Sequence, residues 1–300
     1  MMRYLEPEYL IPSHTRPLEG RANIYNKLTT YRDGIQYVHD QTVRLINLGL
    51  GPDEIAEKLI LPKHLGDSPF LQEFYGTPAW SAKNVFSGYL GWFDGNPSTL
   101  KPLPKEEEAE NFIKLVGGWD NLFEIAENSY MEGGFQWALQ LTDHLLRLRP
   151  NDEKTELLRQ SCLIALGNQE SNPNSRYYYL SSAAQLDKDY QENDILLPDI
   201  EVIKKYPIES MMDTLKVNVI PEKSLDKNIQ LLFTFTDSSK VFSIFLRRGV
   251  LEVQPFLISG SSVQITSKEE DLKAILSGIK SLPISLVNGT LKIEGSKTDL

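Results

Sequence analysis

Four histidines, His14, His39, His64 and His144, are the natural starting point for any chemistry in this chain. No two of them stand at HxH or HxxxH spacing, so they do not form a His-rich metal motif. Cys162 is the single cysteine, which excludes an intrachain disulfide and a CxxC zinc site. The order of residues suggests no Ser-His-Asp or Cys-His set and no glycine-rich phosphate loop. His39 follows the apolar residue Val38 on a long helical stretch, where packing or surface exposure accounts for it. His64 reads as a loop residue after Pro62, and His144 as a helical one. Arg32 and Asp33 read as a surface or interface ion pair, and Cys162 as a small core residue between Leu158 and Ala165.

The elements that must position these residues change character along the 300 residues. Pro7, Pro12 and Pro17 keep the start extended, with Tyr9-Leu10-Ile11 reading as a short buried strand without a nearby partner. From Asn23 to about Leu48, Ile24, Leu28, Tyr31, Ile35, Val38, Thr42 and Leu45 recur at steps of three and four. That predicts one long amphipathic helix. A helix PDEIAEKL follows Gly51, and a short one, PFLQEFY, is expected after Ser68. Further helices are predicted near 79–90, 104–115, 119–132, 134–148, 152–166 and 174–186, bounded by glycines and prolines. Small residues at Ala126 and Ala138, with Gly133 and Pro150, give tetratricopeptide-like spacing to one helical pair. After a polar stretch near 187–207 the period shifts to two. Ile229, Leu231, Phe233 and Phe235 alternate, as do Phe242, Ile244 and Leu246. With a helix over 268–278 and a last strand TLKIEG, this predicts an α+β domain built on an antiparallel meander.

Charge narrows the partners. The net charge is −10, with 31 Lys and Arg against 41 Asp and Glu. There is no basic stripe, so nucleic acid is a poor fit, since binding there rests on phosphate neutralisation. MMRYLEPEYL lacks a basic segment followed by an apolar core, and no apolar run approaches the ~20 residues that span a bilayer. The expected location is the cytoplasm.

The segment Tyr89 to Pro97, YLGWFDGNP, sets Trp92 and Phe93 among Gly91, Gly95 and Pro97. By itself it reads as a buried corner that locks two helices. Extended to YLGWFDGNPSTLKPLP, it resembles the dimerisation domain of alkyl sulfatases, which hydrolyse dodecyl sulfate and related esters on a metallo-β-lactamase fold. LIPSHTRPLEG resembles the end of that family's catalytic domain. YRDGIQYVHDQTVRLINLGLGPDEIAEKLILP resembles the long helix that follows, and NSRYYYLSSAAQL the end of the dimerisation domain. The meander from about 208 resembles the family's sterol-carrier-like C-terminal domain.

The resemblance implies three parts: residues 1–22 as a remnant of the catalytic domain, 23–190 as an all-α dimerisation domain, and 191–300 as a sterol-carrier-protein-2-like α+β domain, shortened at its end. It implies a homodimer through the helical domain, and alkyl sulfate or another lipid-like apolar ligand. It also implies two zinc ions in the complete enzyme, held by an HxHxDH motif and carboxylates that belong upstream of Met1. Only His14 occupies a family ligand position, and one histidine does not hold zinc. No cofactor is therefore expected in this chain alone, and catalysis would need the metal-bearing domain, fused or as a separate chain. Tyr75, in FLQEFYGT, is carried over as a substrate-binding residue, since a phenol can donate to a sulfate oxygen. The other reading is a stand-alone dimeric carrier, with Phe233, Phe235, Phe242, Phe245 and Phe256 lining an apolar groove. A sheet lacking its closing helix would then expose an apolar face.

Overall fold

In the computed structural model, residues 2–191 and 200–295 are described. The chain falls into two compact units, Met1–Glu192 and Asn193–Leu300.

The first unit opens with a single 3-10 turn, Met2–Leu5, where an extended start was expected, and then a small antiparallel hairpin, β1 (Tyr9–Leu10) on β2 (Leu18–Glu19). The partner of Tyr9-Leu10 is thus Leu18-Glu19, close by in sequence, rather than a distant sheet. The strand is also not buried: Tyr9 and Ile11 are exposed. Glu8 closes the hairpin by pairing with Arg21 at 3.0 Å. α1 (Arg21–Asn47) runs as expected, but its stripe is buried only at the ends. Ile24, Thr42 and Leu45 are covered, while Tyr31 and Ile35 face out.

α2 (Pro52–Lys58) follows, with Pro52 in its first turn. The next helix is α3 (Lys63–Gly66), which carries His64. PFLQEFY forms turns and bends instead. The Gln72 side chain explains this locally: its amide donates to the carbonyls of Gly66 and Ser68 at 2.9 Å each. That bends the segment back on α3 rather than letting it coil. α4 (Pro78–Leu90) is capped by Thr77, whose hydroxyl accepts from the Trp80 amide at 3.0 Å.

Five helices then stack: α5 (Lys105–Leu115), α6 (Trp119–Met131), α7 (Phe135–Leu148), α8 (Glu153–Gln169) and α9 (Pro173–Ala184). α6 and α7 fold back on each other around Ala126 and Ala138, both fully buried. Their turn needs its glycines. Gly133 has φ +86°, and a Cβ on Gly134 would lie 2.6 Å from the Ser129 hydroxyl. α8 continues through Gly167 instead of stopping there. The core is Leu122, Leu141, Leu145, Leu158, Cys162 and Leu163 with their neighbours. Burial pushes the Cys162 thiol up to about 11, so it stays a packed, unreactive thiol.

In the second unit, α10 (Ile200–Lys205) and α11 (Ile208–Thr214) precede a five-stranded sheet. Its strands are β3 (Asn228–Phe235), β4 (Val241–Arg247), β5 (Val250–Gln254), β6 (Val263–Ser267) and β7 (Lys292–Gly295), in the order β5-β4-β3-β6-β7. Two helices, α12 (Glu269–Leu276) and α13 (Leu282–Val287), lie between β6 and β7. The α+β character matches the expectation, but the sheet is mixed. β3 to β5 form the meander, whereas β6 pairs with β3 in parallel. Buried Ser243 on β4 and Gln230 on β3 hold the segment that follows β5; the Gln230 amide donates to the Ile258 and Ser259 carbonyls at 3.0 and 3.2 Å. The Ser243 hydroxyl accepts from the Ile258 amide at 2.8 Å and donates to the Phe256 carbonyl at 2.9 Å. The β5–β6 connection is thereby drawn over the sheet instead of turning back as a hairpin.

Phe233, Phe235, Phe242, Ile244 and Ile265 share one face, packed with Ile208, Met212 and Leu272 from α11 and α12. This apolar sheet face is therefore covered by helices, as an α+β domain requires. Three of the five phenylalanines assigned to a groove are core residues. Phe245 points the other way under Arg247, and Phe256 is exposed.

Candidate functional site

The hairpin turn between β1 and β2 presents His14, and the bent segment before α4 presents Tyr75. The two rings meet with centroids 5.6 Å apart. Both side chains are exposed, so a ligand can reach them. Tyr75 does not end a helix and is not buried, unlike the bland alternative for it. Its backbone is nonetheless held firmly. Asn174 donates to the Tyr75 carbonyl at 2.7 Å, and Asn172 reaches the Gly76 carbonyl at 3.4 Å. Asn172 also caps α9, accepting from the Ser175 amide at 2.9 Å. The first residues of α9 thus fix the strip that carries the phenol. An imidazole and a phenol side by side can each direct a hydrogen bond to one anionic oxygen.

A second constellation was only partly legible in the sequence. His39 on α1 contacts the Tyr89 hydroxyl through Nε2 and Asp40 through Nδ1, each at 2.9 Å. Gln36 donates to the other Asp40 oxygen at 3.0 Å, and Arg32 in turn donates to Gln36 at 2.5 Å. Arg32 also pairs with Asp33 at 2.6 Å. This exposed chain ties α1 to the end of α4. The sequence signals for it were the Arg32–Asp33 pair, expected as an ion pair and found as one, and the adjacency of His39 and Asp40; Tyr89 is supplied by tertiary packing.

The hydrogen bond from His39, then that from Gln36, holds the Asp40 carboxyl below its ordinary value. A depressed carboxylate adds stability above its unfolded pKa, and this is lost as pH falls through the folded value. In a carbon-detected NMR titration Asp40 should therefore titrate below an ordinary aspartate, and His39→Ala should move it upward. An Asp40 unaffected by that substitution would contradict the contact.

YLGWFDGNP is a corner, but an exposed one. Trp92 is 75% exposed and touches Phe93 edge-on at 5.7 Å. The turn is held by polar groups instead. Asp94 accepts from the Thr99 hydroxyl at 2.6 Å and from the Asn96 amide at 2.9 Å. Those bonds, Thr99 first, keep its carboxyl below the usual range. His144 stacks on Phe112 at 4.5 Å between α7 and α5, a packing role. Among the described residues no group of three or more His, Cys, Asp or Glu could hold a metal ion. None of the described helices is long and apolar enough to cross a membrane.

The fold and the site define a class: a helical-hairpin domain followed by a mixed-sheet α+β domain, with an imidazole–phenol pair on the helical part. The alkyl sulfatase dimerisation model matches residues 51–189, and the alkyl sulfatase C-terminal model matches 198–300. A linear primary-alkylsulfatase from a Pseudomonas strain is 33% identical over 312 residues, covering 100% of this chain and 58% of that protein. An alkyl/aryl-sulfatase of Saccharomyces cerevisiae is 29% identical, covering 97% of this chain and 45% of its own. The solved stereoselective inverting sec-alkylsulfatase of a Pseudomonas species superposes with a TM-score of 0.87 at 26% identity, covering 97% of this chain and 46% of that one. The chain belongs to the alkyl sulfatase family through its dimerisation and C-terminal domains. It spans about half the length of the curated relatives it matches.

Proposed function

We propose that this chain is the dimerisation and substrate-recruiting C-terminal portion of an alkyl sulfatase acting on long-chain primary alkyl sulfates, and that by itself it does not turn them over. The observation that carries this reading is the meeting of His14 and Tyr75 in a chain matched by both alkyl sulfatase domain models. The two rings offer hydrogen bonds to a sulfate group at the edge of the helical unit. The residues present do not fit the zinc pair that the resemblance implies. His14 is one donor, while a zinc ion takes about four ligands. Nothing in the described residues completes the set. Hydrolysis would need a separate or fused module bringing its own ligands to the His14 side of the hairpin.

The carrier reading has less support. Phe233, Phe235 and Phe242, three of the five side chains that reading needs, fill the core of the second unit instead.

The dimerisation family points to a homodimer. Sedimentation velocity should give a species of twice 34.1 kDa at micromolar chain. A 34.1 kDa species across that range would remove the homodimer from the reading.

A further inference from the structure

α13 is built inside out. It buries Ser285 and leaves Leu282, Ile284, Leu286 and Val287 exposed, Ile284 at 64% and Val287 at 90%. The arrangement is fixed by its hydrogen bonds. The Ser285 hydroxyl donates to the Ser281 carbonyl at 2.9 Å, and the Ser285 carbonyl accepts from the Leu291 amide at 3.0 Å. Leu291 lies in the core of this unit, so the helix is anchored on its serine side. The approach to it is set as well. Gly278, at φ +74°, ends α12, and the Ile279 amide donates back to the Ala274 carbonyl at 2.9 Å. Leu276 and Ile279 are exposed on that turn. An ordered corner thus presents a run of aliphatic side chains to solvent, the mark of a surface with a partner.

Charge says which partner. The chain carries a net −10, yet from Leu272 to Ile293 it has no Asp or Glu, the longest such run in the sequence. Exposed lysines frame α13: Lys280 before it and Lys292 after it. Lys280 pairs with Asp271 at 2.6 Å, which leaves Lys292 the more available cation. Protein interfaces draw most of their binding energy from Trp, Tyr and Arg, and the run contains none of them. Leu, Ile and Val bordered by lysine suit hydrocarbon beneath anionic headgroups. The rest of this acidic chain would be repelled by such a surface, so this corner is the part that can approach it.

We infer that the corner from Leu276 to Val287 docks on the surface of an anionic lipid bilayer. Leu282, Ile284, Leu286 and Val287 enter the boundary between headgroups and acyl chains, and Lys280 and Lys292 lie among the headgroups. The contact uses neither His14 nor Tyr75 and is independent of the proposed function.

The test is co-sedimentation of the full chain with phosphatidylcholine vesicles and with equimolar phosphatidylcholine–phosphatidylglycerol vesicles. The mixed vesicles should bind it more tightly. Ile284→Asp and Val287→Asp, at exposed positions, should each weaken binding by at least about tenfold while leaving the urea midpoint of the chain unchanged. Lys292→Gln should weaken binding to the mixed vesicles about fivefold and leave phosphatidylcholine unaffected. The native tryptophans all lie in the first unit, so Val287→Trp reports on the corner; its added emission should shift to the blue with mixed vesicles. A chain that ignores both vesicles, or aspartate variants that bind like the parent, would overturn the inference. Aspartate variants that change the sedimenting species without lipid, in a chain that ignores vesicles, would assign the corner to a second copy instead.

Discussion

Tyr75→Phe is expected to lower kcat for dodecyl sulfate by about 10²- to 10³-fold in an assembly that carries a working metal module. That is the usual effect of removing one preorganised hydrogen-bond donor from a developing anion. The phenol is suited to that part because its backbone is fixed at two successive carbonyls by Asn174 and Asn172, while its hydroxyl end is exposed to a ligand. KM should change much less than kcat, since the hydrogen bond strengthens as charge builds. Asn174→Ala should reproduce part of the loss by loosening the strip, without removing the donor. A Tyr75→Phe enzyme within twofold of the parent kcat would show that the phenol does not touch the reacting group.

The second large effect is on stability. Leu145 is fully buried at the centre of the helical core, among Leu122, Leu141 and Cys162. Leu145→Ala removes buried methyl groups and leaves a void that neighbouring helices close only in part. It should destabilise the helical unit by about 2–5 kcal/mol. Trp80, Trp92, Trp119 and Trp137 all lie in this unit, and they are the four tryptophans of the chain. Urea unfolding followed by tryptophan fluorescence therefore reads this unit directly. A midpoint shift equivalent to less than about 1 kcal/mol would mean that the site collapses or that the core is looser than its burial shows. Because His14 and Tyr75 are both mounted on this unit, the same variant should weaken sulfate-headed ligands only in urea near its midpoint.

Much of the fold was legible because glycine and proline act locally. Gly51-Pro52, Gly117-Gly118, Gly133-Gly134 and Asn172-Pro173 mark ends that chain geometry enforces whatever the tertiary context. Period-two alternation likewise placed β3 and β4. What escaped notice depends on contacts between distant segments. PFLQEFY has helical composition, yet the Gln72 amide finds carbonyls on α3. The parallel pairing of β6 with β3 follows a crossing segment held by Ser243 and Gln230, and alternation alone reads the same for either direction. Trp92 shows a limit of composition: an aromatic among glycines suggests burial, but here Asp94 and Asn96 hold the turn and the indole stays out.

The site divides in the same way. His14 and Tyr75 were marked by their resemblance to family positions, and no spacing rule could have put their rings 5.6 Å apart. Two independent segments, the β1–β2 turn and the strip before α4, converge there, the strip being held by Asn172 and Asn174. The Asp40–His39–Tyr89 chain had half its signal in two adjacent residues. Its third member arrives from α4, fifty positions later, where sequence order carries no hint.

The most direct measurement is sulfate release from dodecyl sulfate by the purified chain, with zinc added, alone and together with a family catalytic domain bearing HxHxDH. Alone, no release above buffer is expected at any zinc concentration. With the metal-bearing domain, turnover should appear and should depend on His14 and Tyr75. Zinc-dependent turnover by this chain alone, with stoichiometric metal bound, would contradict the reading that its residues complete a site without constituting one.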